Sequence, residues 1–262
     1  MLGEALRRVR AEAPVVHNVT NYVVMNTTAN ALLAVGASPV MAHAPEEVAE
    51  MVGIARALVL NIGTLSQPWI EAMFLAGRAA RKRGIPIVLD PVGAGATSYR
   101  TNTAQRLLAE LEPTIVRGNA SEILALASAV AATRGVDSVH GSEESLGAAQ
   151  ALSDAHGCVV SISGATDIIV SGASIARVHN GAPIMTRVTG MGCTASALSA
   201  AFAAVDGSPL LAATQAMVVL GVAGELAAER APGPGSFQAQ LFDTLHALGP
   251  DELERRARVD WT

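Results

Sequence analysis

The run Ile85 to Leu89, aliphatic but for Pro86 and stopped at once by Asp90-Pro91, is the feature that most narrows what this chain can fold into. Runs of the same kind recur at Val15 to Asn18, Ser38 to Ala42, Ala57 to Asn61, Thr114 to Arg117 and Cys158 to Ser163. They are too short for helices, and most are too continuously apolar to leave one face in water. That pattern suits strands buried on both faces. Between them lie stretches with helical punctuation. Asn26 to Val35 closes at Gly36, Pro45 to Ile54 opens on Pro with acids in its first turn, and Pro68 to Arg83 closes at Gly84. Asn102 to Leu111, Ala120 to Ala129 and Glu143 to Asp154 read as further helices. Strands alternating with helices of this length form βαβ units. The fold class is therefore α/β, a largely parallel central sheet flanked by helices on both faces.

Past Ser163 the pattern changes. Asp167 to Ser171 and Ile175 to Val178 read as a hairpin around Gly172. Thr194 to Val205 and Pro209 to Arg230 are long helices of small residues, and Ser236 to Leu248 is the last helix. Ala231 to Ser236 reads as a stiff turn and Ala132 to Ser142 as a surface loop. No repeat or linker divides the chain, so residues 1–262 are expected to form one domain.

Composition excludes some functions. Half of the residues are apolar and only 16% are charged, enough for a sizeable core. A net charge of −5 argues against a nucleic-acid partner, which needs a concentrated basic face. The densest basic cluster, Arg78 to Arg83, ends a helix and reads as a solvated complement to its dipole. Cys158 and Cys193 are too few for a disulfide framework and are expected as free thiols in a reducing compartment. Met1 to Arg10 lacks the apolar stretch of a signal peptide, and the apolar runs are interrupted, so neither secretion nor a membrane span is expected.

In parallel sheets, ligands bind beyond the carboxyl ends of the strands, so unusual residues there carry the chemistry. Thr189-Gly190-Met191-Gly192-Cys193 precedes a helix. Two glycines let the backbone aim several N–H groups at one point, which suits a phosphoryl group in transit. The helix field is also expected to lower the pKa of Cys193. An ordinary glycine turn beside an inert Cys is the plainer reading. Asp90 ends a wholly apolar strand, where a carboxylate is costly unless solvated, paired or metal-bound. Magnesium takes one or two carboxylates together with water and phosphate oxygens; a turn cap is the alternative. In Arg117-Gly118-Asn119-Ala120-Ser121-Glu122, Arg117 can hold a nucleotide phosphate and Glu122 can reach metal-bound water. The same spacing makes a capping box, and both roles can hold together. His17 to Val23 and Gly36 to Met41 set polar groups among small apolar residues, the composition of a small-ligand pocket. Met41 offers a soft contact for a heteroaromatic ring, or plain core filling. His17 reads as a satisfied core histidine.

Taken together, these stretches resemble the hydroxyethylthiazole kinase family of the ribokinase-like superfamily. The resemblance covers His17 to Ala31, Gly36 to Met51, Asn61-Ile62-Gly63-Thr64, Asp90 to Ala94, Arg117 to Glu122, and His179-Asn180-Gly181 through Cys193. It implies a cytoplasmic, homotrimeric enzyme with the thiazole pocket near the subunit interface. ATP is the co-substrate, Mg2+ the cofactor, and the primary alcohol of a hydroxyethyl-methylthiazole the acceptor. It implies that Met41, Asn21, Val23, Gly63 and Gly190 meet the substrate, that Arg117 and Ser163 contact ATP, and that Asp90 and Glu122 stand near magnesium. Cys193 takes the catalytic position, where most ribokinase-like enzymes carry Asp. Three departures stand out: Met191 where Thr is frequent, Asn18 where Cys is frequent, and Ser163-Gly164-Ala165 in place of Thr-Gly-Glu. The rivals are a related kinase for a pyrimidine, pyridoxal or sugar alcohol, a hydrolase pairing Cys193 with His17 or His179, and a non-catalytic binding protein.

Overall fold

The structure is a computed structural model that describes residues 2–134 and 142–262, with side chains outside 129–143. Strands β1 (Val15–Val19), β2 (Ser38–Val40), β3 (Ala57–Asn61), β4 (Ile87–Asp90), β5 (Ile115–Asn119) and β6 (Val159–Ser163) are all mutually parallel. The sheet continues antiparallel through β7 (Asp167–Ser171), β8 (Ser174–Val178) and β9 (Val259–Trp261), in the order β2-β1-β3-β4-β5-β6-β7-β8-β9. Chain order reverses between β1 and β3, where a crevice is expected at the strand ends.

Period-two alternation splits the core. Val16, Ala57, Val59 and Val88 face one helical layer: α1 (Leu2–Glu12), α2 (Met25–Val35), α8 (Met191–Ala203), α9 (Pro209–Ala228), α10 (Pro234–Ala247) and α11 (Pro250–Arg256). Leu58, Leu60, Ile87 and Leu89 face the other: α3 (Val48–Ile54), α4 (Gln67–Arg83), α5 (Ser98–Leu111), α6 (Ala120–Arg134) and α7 (Ser142–His156). By the same alternation Asn61 and Asp90 look toward α8. Helix α8 is rich in Ala and Ser, so its backbone can lie close to the sheet and to α9. Helix α9 is long and apolar enough to cross a membrane, but its residues are mostly buried in the core of the fold. Burying such side chains contributes about 1.5–3 kcal/mol for each Val or Leu.

Several expectations need revising. The mixed N-terminus forms α1, whose Leu6 and Val9 are fully buried against the core. Pro45 to Glu47 forms a turn, and α3 begins only at Val48. Helix α5 starts at Ser98, because the Thr97 hydroxyl caps it by accepting from the Arg100 N–H (3.3 Å). Pro234 opens α10 inside the expected turn, and α11 and β9 follow the helix taken as last. Of the expected loop, residues 132–134 continue α6, while residues 135–141 lie outside the described residues. Both cysteines are free, and burial pushes the Cys158 thiol up to about 12.

Candidate active site

The central strands end on polar residues along one edge of the sheet, and the register sets Asn61 beside Asp90 and Asn119 beside Ser163. Asp90 is 1% exposed. Its Oδ2 accepts from Asn61 Nδ2 (2.7 Å) and from the Ser196 hydroxyl on α8 (2.8 Å), whereas its Oδ1 is buried without a partner among the described residues. Burial raises its pKa to about 6, against the opposing pull of the Arg117 charge and of the Ser196 and Asn61 hydrogen bonds.

Glu122 closes a capping box. Its Oε2 accepts from the Asn119 N–H (2.8 Å) and Asn119 Oδ1 accepts from the Glu122 N–H (2.9 Å). Its other oxygen accepts from the Gly93 N–H (2.8 Å), tying the turn after Asp90 to α6. Cap and site are therefore combined in one side chain.

Arg117 is buried, and its Nε has no hydrogen-bond partner among the described residues. It lies against the glycine turn: a Cβ at Gly192 would stand 2.5 Å from Arg117 Nη1. Gly190, at φ +86°, bends the chain into α8. The first intrahelical bond runs from the Thr194 N–H to Gly190 O (2.8 Å), so the amides of Met191, Gly192 and Cys193 precede the ladder and, among the described residues, have no partner, which leaves them for an anion.

Cys193 departs from expectation. Its Sγ accepts from Asn61 Nδ2 (3.2 Å) and Asn21 Nδ2 (3.5 Å), yet its pKa is pushed up to about 12, first by burial and then by the Asp90 charge. The expected lowering by the helix field is overturned, because desolvation and a neighbouring carboxylate outweigh a partial dipole charge. The thiol is neutral at physiological pH. The histidine partners that a Cys hydrolase needs stand elsewhere. His17 Nε2 is 2.9 Å from Ala42 O, with burial lowering the ring's pKa, and His179 joins Asp260 (2.9 Å) and Thr166 (3.2 Å).

These groups line a cavity of about 930 Å³. Asn21, Val23, Gly63, Asp90, Arg117, Glu122, Ser163, Gly190 and Cys193 all reach it. Met41 does not: it follows β2 on the outermost strand of the sheet and does not line the cavity. Asn21 is held by Asn61, and the β1–α2 loop around it is pinned by Trp69 Nε1 donating to Thr20 O (2.8 Å). The far wall, at Asn180 and Gly181, is fixed by the Glu225 carboxylate, which accepts from Asn180 Nδ2 (3.2 Å) and the Gly181 N–H (2.8 Å). Asp167 also lines the cavity, with a pKa raised to about 6 by burial, and Ala165 is exposed. Asn61 and Ser196 were missed from sequence. Asn61 carried the same signal as Asp90, a polar residue closing an apolar strand, but Ser196 lies unmarked in a helix of small residues.

On the cavity wall three carboxylates, Asp90, Glu122 and Asp167, face the single guanidinium of Arg117. A polyanion can enter such a wall only with a cation to offset the repulsion. The orphaned Asp90 Oδ1 supplies a hard oxygen donor, so the residues fit a magnesium ion that takes its remaining ligands from water and phosphate.

Comparisons with known proteins identify the family. The model of the Hydroxyethylthiazole kinase family matches residues 6–251. The chain is similar to the hydroxyethylthiazole kinase of Syntrophus aciditrophicus (strain SB), with 60% identity over 97% of this chain and 95% of the relative. It also matches the solved hydroxyethylthiazole kinase protein from Pyrococcus horikoshii OT3, with 44% identity, a TM-score of 0.92 and coverage of 100% of this chain and 98% of that one. Pyridoxal kinase from Staphylococcus aureus, in complex with pyridoxal, shares the fold alone, at 18% identity and a TM-score of 0.67 over 95% and 97% of the two chains.

Proposed function

The chain belongs to the hydroxyethylthiazole kinase family, and from that premise we propose how its cavity carries out the family's reaction. The enzyme phosphorylates the hydroxyl of 4-methyl-5-(2-hydroxyethyl)thiazole at the expense of ATP, giving the phosphate ester and ADP for thiamine salvage. The observation that carries the reading is the meeting of the glycine turn, Arg117, Asp90 and Cys193 at one cavity.

Phosphoryl transfer depends on positioning and charge neutralisation more than on covalent help. The amides of Met191, Gly192 and Cys193 receive the transferred group, and Arg117 adds a cation from behind the turn. Ser163 and the Asn180 wall bound the nucleotide. Asp90, with Glu122 acting through water, would hold magnesium, which when bound neutralises phosphate charge. Asn21, Val23 and Gly63 hold the acceptor, and the neutral Cys193 thiol orients its hydroxyl. The alcohol proton leaves late, passing to an oxygen of the transferred phosphoryl group as the new P–O bond forms and the bond to ADP breaks, so no resting thiolate is required. The protein works in the cytoplasm as a trimer. Met41, just past the end of the outermost strand, serves the thiazole pocket across the subunit interface, in keeping with its absence from the wall of its own cavity.

ADP release from magnesium ATP tests the assignment. It should depend on the thiazole alcohol, and release that is indifferent to that alcohol, or driven better by pyridoxal, would overturn it. Cys193→Ser should keep kcat within about tenfold of wild type, because a neutral hydroxyl can replace a neutral thiol. Its pH–rate profile from pH 7 to 10 should superimpose on that of wild type. A wild-type rate that climbs with pH while the variant's stays flat would reveal a thiolate base.

A further inference from the structure

Asn61 is 1% exposed and does not line the cavity, yet its side chain touches both halves of it. Nδ2 donates to Asp90 Oδ2 (2.7 Å) and to Cys193 Sγ (3.2 Å). Oδ1 accepts from Asn21 Nδ2 (2.7 Å) and from the Gly63 N–H (3.0 Å). A primary amide has two N–H groups and two acceptor sites, and all four are in use. The orientation is fixed as well. A backbone N–H can only donate, so Gly63 requires the oxygen on its side and leaves the NH2 group facing the carboxylate and the sulfur.

The line of bonds extends in both directions. Asn21 Oδ1 accepts from the Val23 N–H (3.1 Å), and Asp90 Oδ2 accepts from Ser196 on α8 (2.8 Å). One continuous chain therefore runs from the loop that walls the acceptor pocket to the helix whose first turn receives the phosphoryl group. No other described side chain bonds both Asp90 and Cys193.

We propose that Asn61 is a positioning residue, registering the acceptor side of the cavity to the phosphate side so that hydroxyl and phosphorus meet at reacting distance. The inference rests on the proposed kinase reading. Asn61 acts through Asn21, Cys193 and Asp90 and touches no substrate atom. Its loss displaces the alcohol relative to the phosphoryl group without removing either binding site, and water then competes for the phosphoryl group. The cost falls on kcat and on the coupling of ADP release to ester formation, since small misplacements at a reacting centre cost rate steeply.

The test follows Asn61→Ala, with kcat expressed per folded molecule from thermal melts and with ADP and phosphate ester counted separately. The expected result is a kcat for ester lower by roughly 10²-fold, a KM for ATP within about threefold of wild type, and more ADP released than ester formed. Ester and ADP in equal amounts at near wild-type kcat per folded molecule, with the whole effect in melting temperature, would assign Asn61 a structural role and overturn the proposal. If Asn61→Ala does not fold, Asn61→Ser, which removes less volume and keeps a hydroxyl, is read by the same two quantities. Wild-type enzyme that makes no ester at all would refute the kinase reading instead.

Discussion

Asp90→Asn is expected to lower kcat by roughly 10³-fold and, in the metal-free protein at pH 8, to raise the temperature of unfolding. The two effects share one cause. Asp90 keeps a carboxylate where burial opposes its charge, raising its pKa from 3.8 to about 6. Because the folded value is the higher one, the folded state holds the proton more tightly than the unfolded chain does. Below pH 3.8 that advantage is fully present, and as pH rises through 6 it is lost. At pH 8 the ionised carboxylate then costs on the order of 3 kcal/mol relative to the protonated form. An asparagine oxygen can still accept from Asn61 and Ser196, and the charge is gone. The variant should melt a few degrees higher than wild type at pH 8, with the gap narrowing toward pH 5. Calorimetry at the two pH values, alongside steady-state kinetics, checks both halves. A variant less stable than wild type at pH 8 would show that Asp90 is held for structure. What it supplies to the reaction instead is an oxygen, Oδ1, that has no partner within the described protein.

Arg117→Met carries the second large effect. Its guanidinium lies beneath the turn at Gly192, with Nε orphaned and Asp90 and Asp167 close enough to feel its charge. A buried cation whose opposing charges among the described residues are Asp90 and Asp167, with no direct hydrogen bond to either, is costly to desolvate, so its position is explained by an anionic ligand. Arg117→Met should reduce kcat/KM for ATP by roughly 10²- to 10³-fold, the loss seen when a transition-state donor is removed. The melting temperature of the nucleotide-free protein should stay within a few degrees. Arg117→Lys should recover little of the loss, because an ammonium cannot present the planar fork that fits phosphate oxygens. Kinetics and melts on the same preparations decide it. Full activity in Arg117→Met would remove the phosphate-side cation from the mechanism.

Much of this arrangement was legible before the fold was seen, because its signals are local. The aliphatic run ending at Asp90 marks a buried strand and its ligand end together. The spacing of Asn119 and Glu122 gives a cap, and Gly190 with Gly192 gives a sharp helix entry. What escaped depends on distant partners. Strand β9 is three residues long, and two of those, Asp260 and Trp261, are exposed; it exists only because β8 offers an edge. Helix α1 does carry an apolar stripe, Leu2, Leu6 and Val9, spaced four and then three residues apart, but its charged outer face obscured it. The error over Cys193 has the same origin. The helix start is visible in sequence, whereas the burial and the Asp90 carboxylate that outweigh it come from elsewhere in the chain. Asn61 was passed over because an amide at a strand end carries no charge to draw attention, although its four bonds join more of the cavity than any acid does.

Direct passage of the phosphoryl group from nucleotide to alcohol, beside a thiol that stays protonated, is tested most directly by stereochemistry at phosphorus. With ATP made isotopically chiral at its γ-phosphorus, a single in-line displacement inverts configuration in the thiazole phosphate. Inversion is the expected result. Retention would mean two displacements through a phosphorylated enzyme, with Cys193 as the nearest nucleophile, and would contradict the mechanism set out above.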